Sequence, residues 1–171
     1  MDFEEKTLDR KYVYKGKILN LRRDEIVLLD GNKSVREIVE HGGGSAVLCV
    51  KDGKVLLVRQ YRYAYGKVLW EIPAGKINAG EDPRETAFRE LEEECGIIAE
   101  DMELIAEIYP SPGYTEEIIR LYSASGLREG KTHFDADEYV ESFWIDTEEA
   151  KRMAANGEIN DAKTLIALSH I

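Results

Sequence analysis

The sequence predicts a mixed α/β domain with helices packed on both sides of a sheet. Three observations predict it. The first 62 residues or so break into short alternating or β-branched runs separated by turn residues. One helix with a start and a stop signal follows, over residues 83–95. Further strand-like runs then give way to two more helical segments near residues 147–155 and 161–170.

In chain order, residues 12–18, 21–29 and 35–40 read as strands, divided by Gly16, Asn20 and Asp30-Gly31. Asp-Gly suits a tight hairpin because both turn positions favour a positive φ. A second Asp-Gly, Asp52-Gly53, separates SAVLCVK (45–51) from KVLLVRQYR (54–62). Those two runs are nearly continuous in apolar residues, which places them at the sheet centre. Residues 69–72 form a short strand ending at Pro73. The helix then opens with Asp82 as N-cap and Pro83 at its first position, Glu85 completing a capping-box pattern, and Gly96 placed to end it. Residues 102–109, 117–125 and 140–145 read as strands, 109–115 and 128–138 as loops, and Asn156-Gly157 closes the penultimate helix.

The chain has 171 residues, 43% hydrophobic and 33% charged, with a formal net charge of -11. That acidity argues against long nucleic acids as partners, whose affinity depends on clustered Lys and Arg. It is compatible with a small phosphorylated substrate held through cations. No basic-then-apolar leader opens the chain and no run approaches the ~20 apolar residues of a membrane span, so a cytoplasmic location and no membrane partner are expected. Cys49 and Cys95 each lie in an apolar stretch outside any CxxC pair, the pattern of free thiols in a reducing compartment.

The helix carries the chemistry. At ~100° per residue, Glu93 and Glu94 fall on either side of Glu90, so three carboxylates share one face. Ala87, Phe88, Leu91 and Cys95 occupy the neighbouring face, suited to packing on the sheet. Like charges at this spacing repel by a few tenths of a kcal/mol per pair on an exposed helix. Hard cations between them reverse that sign, and Mg²⁺ in particular is held by one or two carboxylates plus substrate phosphates. An acidic run alone is more often a solvated face. Here Gly75 is followed after five residues by Glu81, after seven more by Arg89-Glu90-Leu91, then by Glu93-Glu94 and Gly96-Ile97.

That pattern resembles the signature of the Nudix hydrolases at every fixed position. The resemblance implies an α/β/α sandwich with a mixed sheet, and hydrolysis of a nucleoside diphosphate linked to another moiety. It implies Glu90, Glu93, Glu94 and the backbone carbonyl of Ala74 as metal ligands, for Mg²⁺ with Mn²⁺ as a substitute. It also implies Glu81 and Arg89 as an orienting pair. Cations so placed neutralise the diphosphate and activate a water for in-line attack at phosphorus.

VRQYRYAYG, EIPAG, the SPGYTE segment with Pro112 15 positions after Ile97, and the acidic loop before VESFWI extend the likeness to the ADP-ribose and nucleotide-sugar diphosphatase branch. By that likeness residues 1–43 form a small antiparallel sheet serving homodimerisation, and residues 44–171 the hydrolase domain. Arg62 and Arg36 are then substrate-binding candidates, with Pro112 and Gly113 in the substrate loop. The general base comes from Glu138, with Asp135, Asp137 and Glu93 as rivals. Tyr12 and Tyr14 suit an interface or core better than an adenine stack. The expected reaction is ADP-ribose to AMP and ribose 5-phosphate. The alternatives are another nucleotide sugar or a dinucleotide as substrate, or a nucleotide-sensing module without turnover.

Overall fold

Alternation of apolar and polar residues through the first third of the chain drives it into strands. The structure, a computed structural model, describes residues 3–133 and 139–171. Two units are present, Met1–Gly42 with Tyr109–Ile118, and Gly43–Ile108 with Ile119–Ile171. In the first, β1 (Lys6–Lys15), β2 (Leu19–Val27) and β3 (Lys33–His41) form an antiparallel sheet in that order. The Asp30-Gly31 turn between β2 and β3 is closed by Gly31 N–H to Leu28 O at 2.9 Å and Leu28 N–H to Asn32 O at 2.8 Å. Asp24 on β2 is buried and paired with Arg22 at 3.1 Å and Arg10 at 3.4 Å. The segment Tyr109–Ile118 joins this unit by two backbone bonds at Val39 of β3, to Tyr114 O at 2.7 Å and from Glu116 N–H at 3.1 Å.

The second unit contains β4 (Gly44–Lys51), β5 (Lys54–Arg62), β6 (Lys67–Glu71) and β7 (Ala74–Lys76), with a single 3-10 turn at Tyr63–Tyr65. It continues with α1 (Pro83–Cys95), β8 (Ile97–Ile98), β9 (Asp101–Ile108), β10 (Ile119–Ser125), β11 (Arg128–Glu129) and β12 (Val140–Asp146). Helices α2 (Thr147–Ala155) and α3 (Ala162–Leu168) complete it. The main sheet runs β12-β5-β4-β10-β9, with β6 on β5 and β7 on β4. It is mixed, because β10 pairs with β4 in parallel and the other pairs are antiparallel. The β4–β5 hairpin turns at Asp52 (φ 52) and Gly53 (φ 74), the double positive φ that Asp-Gly tolerates.

The central strands separate two cores. Ala46 and Leu48 of β4, with Val55 and Leu57 of β5, pack on α2 and α3 through Ala150, Met153, Ala167 and Leu168. Val47, Cys49 and Leu56 point to the opposite face and pack on Ala87 and Leu91 of α1. This is the expected helix-on-both-faces sandwich, produced by the two-residue period of a strand. Burying a side chain such as Leu57 or Leu91 contributes about 1.5–3 kcal/mol each. Among the described residues no helix is long and apolar enough to cross a membrane.

Some local expectations change. The chain resumes a strand past Pro73, as β7 over residues 74–76, where the sequence showed none, and Arg128–Glu129, expected as loop, pairs with Ile97–Ile98. Strands of two or three residues leave no periodicity to read. Asp82 caps α1 through Arg84 N–H at 2.8 Å, and Pro83 opens the helix. Gly96 adopts φ 62 and donates its N–H to Glu92 O at 2.8 Å, ending it.

Candidate active site

Strand β7 delivers Ala74 and Gly75 to the acidic face of α1. The Ala74 N–H donates to Glu94 Oε2 at 3.1 Å. A Cβ on Gly75 would sit 1.9 Å from the Cδ of Glu90, so only glycine leaves space for that carboxylate. Glu90 is 8% exposed and Glu94 2%. Glu93 differs from them, with 37% of its side chain exposed. The shared acidic face is thus two buried carboxylates one turn apart, flanked by a third that reaches solvent.

Arg89 ties this face to the preceding loop. Its Nε donates to Glu81 Oε1 at 2.8 Å and its Nη2 to Glu81 Oε2 at 3.1 Å, a two-pronged fork. Nη1 donates to Glu90 Oε1 at 2.7 Å and Glu93 Oε2 at 2.8 Å, and Nη2 also reaches Lys76 O at 3.1 Å. Glu81 Oε2 additionally accepts from Asn78 N–H at 3.0 Å. The Arg89 fork, with the Asn78 N–H adding to it, pulls the Glu81 carboxyl down to about 2. One guanidinium therefore sets the loop and two helix carboxylates relative to each other.

A divalent cation fits this donor set. Hard carboxylate oxygens, two of them buried on a rigid helix, are what Mg²⁺ or Mn²⁺ takes. Among the described residues no three His, Cys, Asp or Glu side chains converge into a cage of their own.

Arg62 ends β5 within the same unit. Its Nε and Nη2 donate to Glu71 Oε1 and Oε2 at 2.6 and 2.7 Å. Glu71 is 1% exposed and also accepts from Lys163 Nζ. Lys163 donates at 3.0 Å to Asp161 Oδ1, and Asp161 Oδ2 caps α3 through Thr164 N–H at 3.0 Å. Thr164 Oγ1 accepts the Ile72 N–H at 2.9 Å. Burial pushes the Glu71 carboxyl up, but Arg62 and Lys163 outweigh it and hold it below the ordinary range. Sequence reasoning passed over Glu71 and Lys163. A single acid inside the apolar run LWEIP signals a buried ion pair, but nothing in the sequence names a partner 92 residues away.

The other predicted residues belong to other segments of the chain. Arg36 on β3, in the first unit, pairs with Glu5. Pro112 and Gly113 sit in the first unit's loop, where Tyr114 and Thr115 N–H groups both reach Ser111 O at 3.2 Å. Glu138, Asp135 and Asp137 lie outside the described residues. Cys49 is buried, Cys95 half-buried, and both are free thiols. Burial pushes Cys49 up to about 12.

Comparison with known proteins gives a consistent result. Residues 40–168 match the family described as NUDIX domain, and residues 5–39 match the nucleoside diphosphate sugar hydrolase N-terminal domain. The chain is 42% identical over 172 residues to a methanol dehydrogenase activator of Bacillus methanolicus, covering 99% of this chain and 93% of the relative. It is 40% identical over 171 residues to an ADP-ribose pyrophosphatase of Bacillus subtilis (strain 168), covering 98% and 92%. A solved structure described as an ADP compounds hydrolase superposes with a TM-score of 0.86 at 19% identity, over 99% of this chain and 93% of that one.

Proposed function

The chain belongs to the Nudix family of hydrolases, and from that premise we propose that it cleaves the diphosphate of ADP-ribose, releasing AMP and ribose 5-phosphate. The name of the Bacillus subtilis relative, an ADP-ribose pyrophosphatase, and the description of the N-terminal domain type, a nucleoside diphosphate sugar hydrolase, both support this reading. The observation that carries the site is the pair of buried carboxylates, Glu90 and Glu94, held against Gly75 and the Ala74 N–H. Buried carboxylates one helical turn apart, positioned by Arg89 and by the Ala74 N–H, offer hard oxygen donors of the kind a divalent cation takes.

In this reading Glu90, Glu93, Glu94 and the Ala74 carbonyl hold Mg²⁺, or Mn²⁺ in its place. When bound, such an ion supplies charge neutralisation at the diphosphate and a more acidic water. Glu81 and Arg89 orient the carboxylates. Arg62 offers the diphosphate the guanidinium donors outside its fork with Glu71. Arg36, Pro112 and Gly113 complete the substrate contacts. Glu138 takes the proton of the attacking water, with Glu93, Asp135 and Asp137 as the other carboxylates for that role.

Residues 1–43 serve homodimerisation, and 44–171 hydrolysis. Support for the dimer comes from β1, every residue of which is exposed, including Leu8 at 50%, Val13 at 61% and Tyr14 at 57%. An uncovered edge strand with apolar side chains is an association surface. The working compartment is the cytoplasm, where free thiols persist.

A second reading keeps the chemistry and changes the substrate to a nicotinamide dinucleotide. The relative named as a dehydrogenase activator favours it, because dehydrogenases use such cofactors. The deciding experiment incubates the protein with Mg²⁺ and ADP-ribose, GDP-mannose or NADH in parallel, with an EDTA control, and follows products by chromatography. Metal-dependent AMP release fastest from ADP-ribose is expected. Faster release from NADH would move the assignment to the second reading, and turnover surviving EDTA would end the metal role.

A further inference from the structure

We propose that Lys163 is a positioning residue for Arg62, acting through Glu71, so that the start of α3 controls how tightly the diphosphate is held. The inference rests on the substrate role given to Arg62 above. A guanidinium has five N–H donors, and the fork to Glu71 uses two of them, at 2.6 and 2.7 Å. The remaining three are what a diphosphate would use. Their direction is set entirely by the plane of the fork, hence by where the Glu71 carboxylate sits.

Glu71 is 1% exposed, and a carboxylate at that burial stays charged and fixed only when fully paired. Arg62 alone does not suffice, because its side chain is 38% exposed and, in the role given to it above, also binds the substrate. Lys163, itself 8% exposed, supplies the second cation on Oε2 and is in turn fixed by Asp161. With it, Arg62 and Lys163 balance Glu71 and Asp161. Without it the group carries one excess negative charge beside the place an anionic substrate must occupy.

The same turn of chain holds the backbone, since Thr164 Oγ1 takes the Ile72 N–H two residues before Ala74, whose own N–H meets Glu94. After the bond to Glu71, the charge of Glu94 also favours the protonated Arg62 guanidinium.

The test compares Lys163→Met, Lys163→Arg, Arg62→Ala and the double variant Lys163→Met/Arg62→Ala, by ADP-ribose steady-state kinetics and by the Arg62 Nε–H resonance of ¹⁵N-labelled protein. Lys163→Met should raise KM roughly tenfold with kcat nearly unchanged and broaden the Arg62 resonance by faster exchange. Lys163→Arg should restore both. The double variant should be no worse than Arg62→Ala alone, because both act through one guanidinium. Additive losses, or an Arg62 resonance as sharp in Lys163→Met as in wild type, would overturn the proposal. Unchanged KM in Arg62→Ala withdraws the diphosphate contact of Arg62 and, with it, any control of binding by Lys163. Should Lys163→Met not fold, Lys163→Gln, which keeps a donor toward Glu71, should move KM in the same direction by less, and wild-type KM there overturns the proposal.

Discussion

Replacing Gly75 by alanine should damage the reaction far more than the fold. The added Cβ would lie 1.9 Å from Cδ and Oε1 of Glu90 and 2.3 Å from Oε2. Carbon atoms rest about 3.5–4.0 Å apart, so the carboxyl must retreat by roughly 1.5 Å or more. Because it is the far end of a flexible side chain, the retreat costs about 0.5–1.5 kcal/mol in an off-rotamer torsion. Alanine recovers about 0.4–1 kcal/mol by restricting the unfolded chain. The two nearly cancel, and at about 2–4 °C per kcal/mol for a domain of this size the change in Tm stays within a few degrees. Displacing a metal-binding carboxylate by that distance lowers kcat/KM about 10²-fold. Calorimetry and steady-state hydrolysis of ADP-ribose measure the two sides. Gly157→Ala is the mirror control: at φ 76 with no atom within 4 Å, it strains the backbone without touching the site. It should lose Tm and keep kcat/KM. Gly75→Ala with kcat/KM close to wild type would refute the assignment of Glu90.

Glu94→Gln should lose several orders of magnitude in turnover with the circular dichroism spectrum intact, and near-normal turnover would remove Glu94 from the metal set. Glu138→Gln should lower kcat while leaving Mn²⁺ binding largely unchanged by calorimetry, and a wild-type rate would move the base to Glu93 or the neighbouring aspartates. Glu81 titrates at about 2 in the folded protein against an ordinary 4.5, so its pairing with Arg89 contributes fully above 4.5 and drains away as the pH falls toward 2. Wild type should therefore lose more Tm than Glu81→Gln between about pH 5 and about pH 3, and parallel losses would show that the pair contributes nothing. Light scattering at micromolar concentration should give a dimer mass, and Val13→Lys on the exposed β1 should shift it toward monomer. A wild-type monomer would contradict the association surface.

The sequence made the sandwich legible where periods were long enough to read. The runs at 45–51 and 54–62 became the central hairpin, and the face formed by Ala87 and Leu91 became the α1 side of a core. The proximity of Glu90 and Glu94 followed from helix geometry alone. Their burial did not, because it depends on β7, whose three residues carry no pattern. The exposure of Glu93 was equally hidden, since angular position on a helix says nothing about how far a neighbouring strand extends over it. The Arg62–Glu71–Lys163 group was illegible for another reason: its partners are brought together only by tertiary packing, with 92 residues between Glu71 and Lys163.

Neither unit is continuous along the chain. The first is completed by Tyr109–Ile118, and the second cannot close its parallel β4–β10 pairing until Ile119 meets Gly44, 119 − 44 = 75 residues apart. Long closures of this kind slow folding because their entropy is lost before the contacts form. During synthesis, the N-terminal strands therefore leave the ribosome without their last segment. The carboxylates of α1 likewise emerge before the sheet that will orient them is whole. Both units become complete only after residue 118 has been made, so neither can finish folding while only its earlier segment has emerged.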